Sequence, residues 1–90
     1  LSLFILFLNK KILGGFIMTT EIKWIGNQRI TTYIFNNQVL KTRIEEKQAD
    51  GSLELIFEEF REYWSNGKLR CIWNSEGDLI DFDKEGNPID

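Results

Sequence analysis

Two observations predict a mainly β fold, a single antiparallel β-meander of repeated hairpins with about five or six strands. Turn signals recur at short intervals: Gly26-Asn27, Asn36-Asn37, Asp50-Gly51, Asn66-Gly67, Glu76-Gly77 and Glu85-Gly86-Asn87-Pro88. Between them lie segments rich in β-branched and aromatic residues, several with apolar residues at every second position. Asn-Gly is the strongest of these signals, because a type I′ hairpin turn requires positive φ at both central residues.

The chain opens with the apolar run "LSLFILFL", broken by Asn9, Lys10 and Lys11. A membrane-spanning helix needs roughly 20 apolar residues, so this run is too short. A secretory signal places its positive charge before the apolar run, whereas these lysines follow it. Leu13-Gly14-Gly15-Phe16-Ile17-Met18 can be encoded by a purine-rich AGGAGGT tract, an AT-rich spacer and ATG, the layout of a bacterial ribosome-binding site and start codon. The expectation is that residues 1–17 are a translated leader and that residues 18–90 form one hairpin-repeat domain. The competing expectation is an apolar N-terminal strand or helix docked on that domain.

From Met18 onward the predicted strands are "TEIKWI", "RITTYIF", "QVLKTRIEE", "KLRCIW" and "DLIDFD". Ile22/Trp24, Ile30/Thr32/Ile34 and Leu40/Thr42/Ile44 alternate as strands with one buried face do. An internal repeat is also visible. Trp24–Ile30 aligns with Tyr63–Leu69, and Asn36–Leu40 with Glu76–Ile80, as in two copies of a strand–turn–strand–turn–strand unit. The segment "SLELIFEEFREYW", residues 52–64, resists this pattern. Leu53, Ile56, Phe57, Phe60, Tyr63 and Trp64 follow helical spacing, and Ser52 is a fitting N-cap. The alternative fold class is therefore α+β with a helix at 52–64.

Charge and composition exclude several chemistries. The chain carries a formal net charge of −3; residues 18–90 contain nine basic and fourteen acidic side chains, a net of −5. Nucleic-acid binding calls for a basic footprint, which this balance does not provide. With no histidine and one cysteine, Ser/His/Asp and Cys/His nucleophile pairs are impossible, as are histidine-containing or thiolate-cluster zinc sites. A single Cys71 forms no internal disulfide, which fits a reducing cytoplasm. Asp81-Phe82-Asp83-Lys84-Glu85-Gly86 has the ligand spacing of half a calcium loop. The bidentate Glu such a loop needs at its twelfth position has no counterpart, so no metal is expected. Fourteen carboxylates make a catalytic pair easy to draw and therefore uninformative, and no cofactor or catalytic residue is expected.

The stretch "EYWSNGKLRCIWNSEGDLIDFDKEGNPI" resembles the MORN-variant repeats of small bacterial proteins. Their core of two aromatics, one or two residues, Asn-Gly, a polar or basic residue and Leu is matched by Tyr63, Trp64, Ser65, Asn66, Gly67, Lys68 and Leu69. The following "SEGDLI" and "KEGNPI" resemble the Gly-containing turns that close such units, with Gly77 and Gly86 as their glycines. The resemblance covers residues 60–89, and Glu58, Glu59 and Phe60 stand where such repeats open on a glycine. It implies a twisted antiparallel sheet of hairpins, with Phe60–Trp64 a strand running into the Asn66-Gly67 turn; 52–58 stays open between helix and strand. Members are often described as antitoxin components, and other MORN proteins as protein or lipid scaffolds; both roles imply binding and neither implies catalysis.

The functional expectation is a non-enzymatic protein-binding module, antitoxin- or immunity-like. Its acidic surface suits a partner protein with a basic surface, with no nucleic acid and no membrane. The candidate interface residues are Trp24, Tyr33, Tyr63, Trp64 and Trp73, because aromatics bring large contact area with few rotatable bonds. The turn-defining residues are Asn66, Gly67, Gly77 and Gly86. Alternatives are a small carboxylate-based enzyme or metal-binding domain, or a structural repeat fragment without a discrete site.

Overall fold

A computed structural model describes residues 4–13 and 15–89, with side chains described for 15 and 17–89. The strands are β1 (Phe4–Leu13), β2 (Phe16–Ile25), β3 (Gln28–Phe35), β4 (Gln38–Lys47), β5 (Leu53–Tyr63), β6 (Leu69–Asn74), β7 (Leu79–Phe82) and β8 (Pro88–Ile89). They form one sheet in the order of the chain, each antiparallel to the next. The count exceeds the five or six expected because β1 joins the sheet and the two-residue β8 adds a short strand after β7. The expected leader, residues 1–17, falls partly outside the described residues; the backbone of Phe4–Leu13 pairs along β2 from Phe4↔Ile25 to Leu13↔Phe16. No helix among the described residues is long and apolar enough to cross a membrane.

Among the described residues the sheet has no second layer. For the whole chain the accessible surface is 6558 Å², where a compact protein of this mass would expose roughly 5,500 Å². The radius of gyration is 15.4 Å, against about 12 Å for a compact domain of this length. Among the described residues no side chain is fully buried, and only Thr31, Glu45 and Cys71, at 5%, 8% and 8% exposed, are buried at all. Burial is spread over both faces of one layer instead of being concentrated between two.

The turns explain why this sequence makes hairpins. Asn36 and Asn37 both take positive φ (48° and 65°), the type I′ requirement. Gly26 alone does so in its turn (φ 59°), which marks a type II′ connection. Four further turns share a longer form. The Gly67 N–H donates to the Trp64 carbonyl at 2.9 Å, and the Trp64 N–H to the Lys68 carbonyl at 2.8 Å. The same two bonds recur at Gln48–Ser52, Asn74–Asp78 and Asp83–Asn87. Only the glycine of each of these turns has positive φ, so Asn66-Gly67 is a type I turn closed by a left-handed glycine, not the type I′ turn its dipeptide predicts.

The helix considered for 52–64 is overturned: Leu53–Tyr63 is a single strand. The helical spacing has a physical cause. Register against β4 jumps from Ile44↔Phe57 to Glu45↔Leu55, so Ile56 is an extra residue, a β-bulge. A bulge shifts the two-residue alternation by one position, and apolar residues on either side of it imitate a three-to-four-residue period. Similar shifts leave Leu40 extra on β4 and Arg70 extra on β6. The two segments of the internal repeat both form hairpins, β2–β3 and β5–β6, but their turns are of different types.

Gly77 isolates the backbone requirement, because a Cβ there would meet nothing within 4 Å while φ stands at +90°. Gly77→Ala is expected to lower stability by about 1–2 kcal/mol through backbone strain alone. Urea unfolding of the variant beside the parent protein measures it.

Candidate functional surface

Directly opposed residues share a face, so register assigns each side chain to one side of the sheet. One face carries three neighbouring rows across the strands. The first is Trp24–Arg29–Glu45–Leu55, and the second Ile22–Thr31–Arg43–Glu58. The third is Thr20–Tyr33–Lys41–Phe60–Trp73–Leu79. Glu62, Cys71 and Asp81 extend the same face near β6 and β7. Thr31, Glu45 and Cys71, the three most buried residues, all lie here, so this is the more sheltered side.

The third row is a continuous aromatic–cation strip. The Phe60 and Trp73 rings stack at 5.4 Å between centroids and 13° between planes. The Lys41 ammonium sits 5.7 Å from the centre of Tyr33 and 5.4 Å from that of Phe60, distances at which ring quadrupoles attract a cation. The first two rows, with Lys41 of the third, supply an ion network. Arg29 donates from Nε and Nη2 to Glu45 Oε1 at 3.1 and 2.7 Å. Lys41 pairs with Glu58 at 3.1 Å, and Arg43 lies between the two carboxylates at 4.0 Å from each. A depression of about 290 Å³ opens over this network, lined by Thr20, Ile22, Arg29, Thr31, Tyr33, Arg43 and Glu45.

The structure brings together only part of the aromatic set expected at an interface. Tyr33 and Trp73 share the third row, and Trp24 lies on the same face two rows away. Tyr63 points to the opposite face, where its hydroxyl donates to the Val39 carbonyl at 2.7 Å and ties β5 to β4. Trp64 belongs to the β5–β6 turn. Its Nε1 donates to the Phe82 carbonyl at 3.2 Å, and its ring lies near the Arg70 guanidinium at 5.2 Å and the Lys84 ammonium at 5.4 Å. Phe60, Lys41, Arg29, Arg43, Glu45 and Glu58 were missed. Their signal lies in cross-strand register, which turn spacing fixes only where bulges are absent.

The remaining candidates have structural partners. Asn66 Oδ1 accepts the Lys68 N–H at 2.9 Å, and its Nδ2 donates to the Lys84 carbonyl at 2.8 Å, linking neighbouring turns. Asp83 Oδ1 accepts the Glu85 and Asn87 N–H groups at 3.0 and 2.9 Å. These bonds, that from Asn87 foremost, hold the Asp83 carboxyl below its ordinary pKa. The half calcium loop thus runs from the end of β7 into a turn whose Asp83 carboxylate caps backbone, and no cluster of three metal-ligating side chains occurs among the described residues. Burial first, then the Glu62 carboxylate, pushes the Cys71 thiol above its ordinary pKa, the opposite of what a reactive thiolate requires.

Charge is divided along the sheet. Residues 18–49 carry five basic and three acidic side chains, whereas residues 50–90 carry four basic and eleven acidic ones. Comparison with family models, with curated proteins and with solved structures gives no match.

Glu45 is the anchor of the ion network, with its side chain 11% exposed. Glu45→Gln keeps the shape but leaves Arg29 and Arg43 without their shared carboxylate. A loss of about 2 kcal/mol is expected from chemical denaturation.

Proposed function

We propose that this protein is a non-enzymatic protein-binding module, acting through the face that carries Tyr33, Lys41, Phe60 and Trp73. The observation that carries this reading is the aromatic–cation row on a sheet that no second layer covers among the described residues. Folded domains ordinarily pack such a face against another element. Rigid aromatics flanked by arginines are also the residue types that dominate binding energy at protein interfaces.

The acidic half of the sheet favours a partner with a basic surface. Glu62 and Asp81 lie on the same face as the aromatic row, and Glu76, Asp78 and Glu85 crowd the adjoining turns. Such a surface would steer a basic protein into place and occlude it, as an antitoxin or immunity protein does, with an association rate that falls as salt rises. The resemblance of residues 60–89 to MORN-variant repeats supports the same class of role. A lone buried thiol is compatible with a reducing cytoplasm as the setting.

The test is affinity capture with the full chain from its native host, at low and high salt. A stoichiometric basic protein is expected, retained by the parent chain and lost at least about tenfold by the Tyr33→Ser/Trp73→Ser double variant. Circular dichroism of that variant checks that the sheet persists. Recovery of no stoichiometric partner, or equal retention by the folded double variant, contradicts the proposal.

A further inference from the structure

Arg43 stands out among the charges of the sheltered face. In the depression over β2, β3 and β4, two guanidiniums meet one carboxylate. Arg29 takes both short bonds to Glu45 Oε1, while Lys41 and Glu58 pair with each other at 3.1 Å. Arg43 is left 4.0 Å from each carboxylate, and its buried Nε has no hydrogen-bond partner among the described residues. A buried N–H without a partner carries a desolvation cost that a new acceptor would remove.

We propose that Arg43 is a receptor for a carboxylate side chain of the partner protein, which enters the depression beside the Tyr33–Phe60–Trp73 row. This rests on the binding-module reading and adds to it one point of specificity. A guanidinium offers a planar fork that a carboxylate meets with two parallel bonds. Arg43 has a long side chain, about a third exposed, and turning it toward an incoming carboxylate exchanges two 4.0 Å contacts for direct bonds to Nε and an Nη. The hydroxyl-bearing Tyr33, Thr20 and Thr31 line the same depression, as does the apolar Ile22. On a chain whose overall balance is acidic, Arg43, held only by two 4.0 Å ion pairs, sets the register of a basic partner, because a wrong alignment leaves it facing like charge.

The test needs no partner. The full chain, labelled with ¹⁵N, is titrated with N-acetyl-glutamate methylamide and, separately, with the uncharged glutamine analogue, while the Arg43 Nε–H and Tyr33 ring resonances are followed. A saturable shift with the glutamate compound is expected, at least about tenfold weaker with the glutamine compound. Arg43→Gln should abolish the response and Arg43→Lys weaken it. The amide spectrum away from the depression shows whether each variant is folded; if Arg43→Gln is not, the comparison of the two compounds on the parent chain decides. Equal shifts with both compounds, or no saturable shift with either, overturn the proposal. Capture of a basic partner that persists under that outcome leaves the binding-module reading standing, so the two failures are distinguishable.

Discussion

A single layer of β-sheet has no interior, and that constraint governs the rest of this structure. Every strand residue lies on one of two faces, and among the described residues only Thr31, Glu45 and Cys71 are buried by their neighbours. Stability must then come from the backbone ladder, from contacts between opposed side chains and from turns that satisfy their own backbone groups. The rows across β2–β7 meet this need on the sheltered face. Phe60 stacks on Trp73, Lys41 bridges Tyr33 and Phe60, and Arg29 is held twice by Glu45. In a deep core such charges would suffer a desolvation penalty larger than their attraction. At the partial exposure of this sheet the penalty is smaller, and an ion network can coexist with the aromatic row.

The turns and bulges supply the geometry that those rows need. Four five-residue turns repeat one hydrogen-bond pattern, and side chains cap them: Asp50 and Asn66 from the third position, Asn74 and Asp83 from the first. Neighbouring turns are also tied sideways, Gln38 to Gly67 and Asn66 to Lys84. Between them, β4, β5 and β6 each carry one bulge. The bulge at Ile56 moves Leu55 onto the face of Glu58 and Phe60, and it increases the local twist.

The same bulges limit what could be read from the sequence. Hairpin positions were legible because Gly and Asn mark where φ must turn positive, and the structure turns at all six expected places. Residues 52–64 were ambiguous because one inserted residue turns a two-residue alternation into something that counts like a helix. Asn66-Gly67 misled for a related reason, since a left-handed glycine is required by two different turn types. Tyr33 and Trp73 were identifiable as interface aromatics by residue type. Their neighbours Lys41 and Phe60 were not, because they meet only once four strands are placed in register. Arg43 was equally invisible, since its position between Glu45 and Glu58 depends on the same register.

Calorimetric unfolding of the full chain, repeated over a range of protein concentrations, addresses the single-layer architecture most directly. Heat-capacity change on unfolding reports apolar surface released to water, and a compact domain of this length gives roughly 1.1–1.3 kcal/mol/K. A sheet exposed on both faces should give a clearly smaller value, with a midpoint independent of concentration. A value in the compact range, or a midpoint that rises with concentration, would mean that the aromatic face is already covered in the free protein.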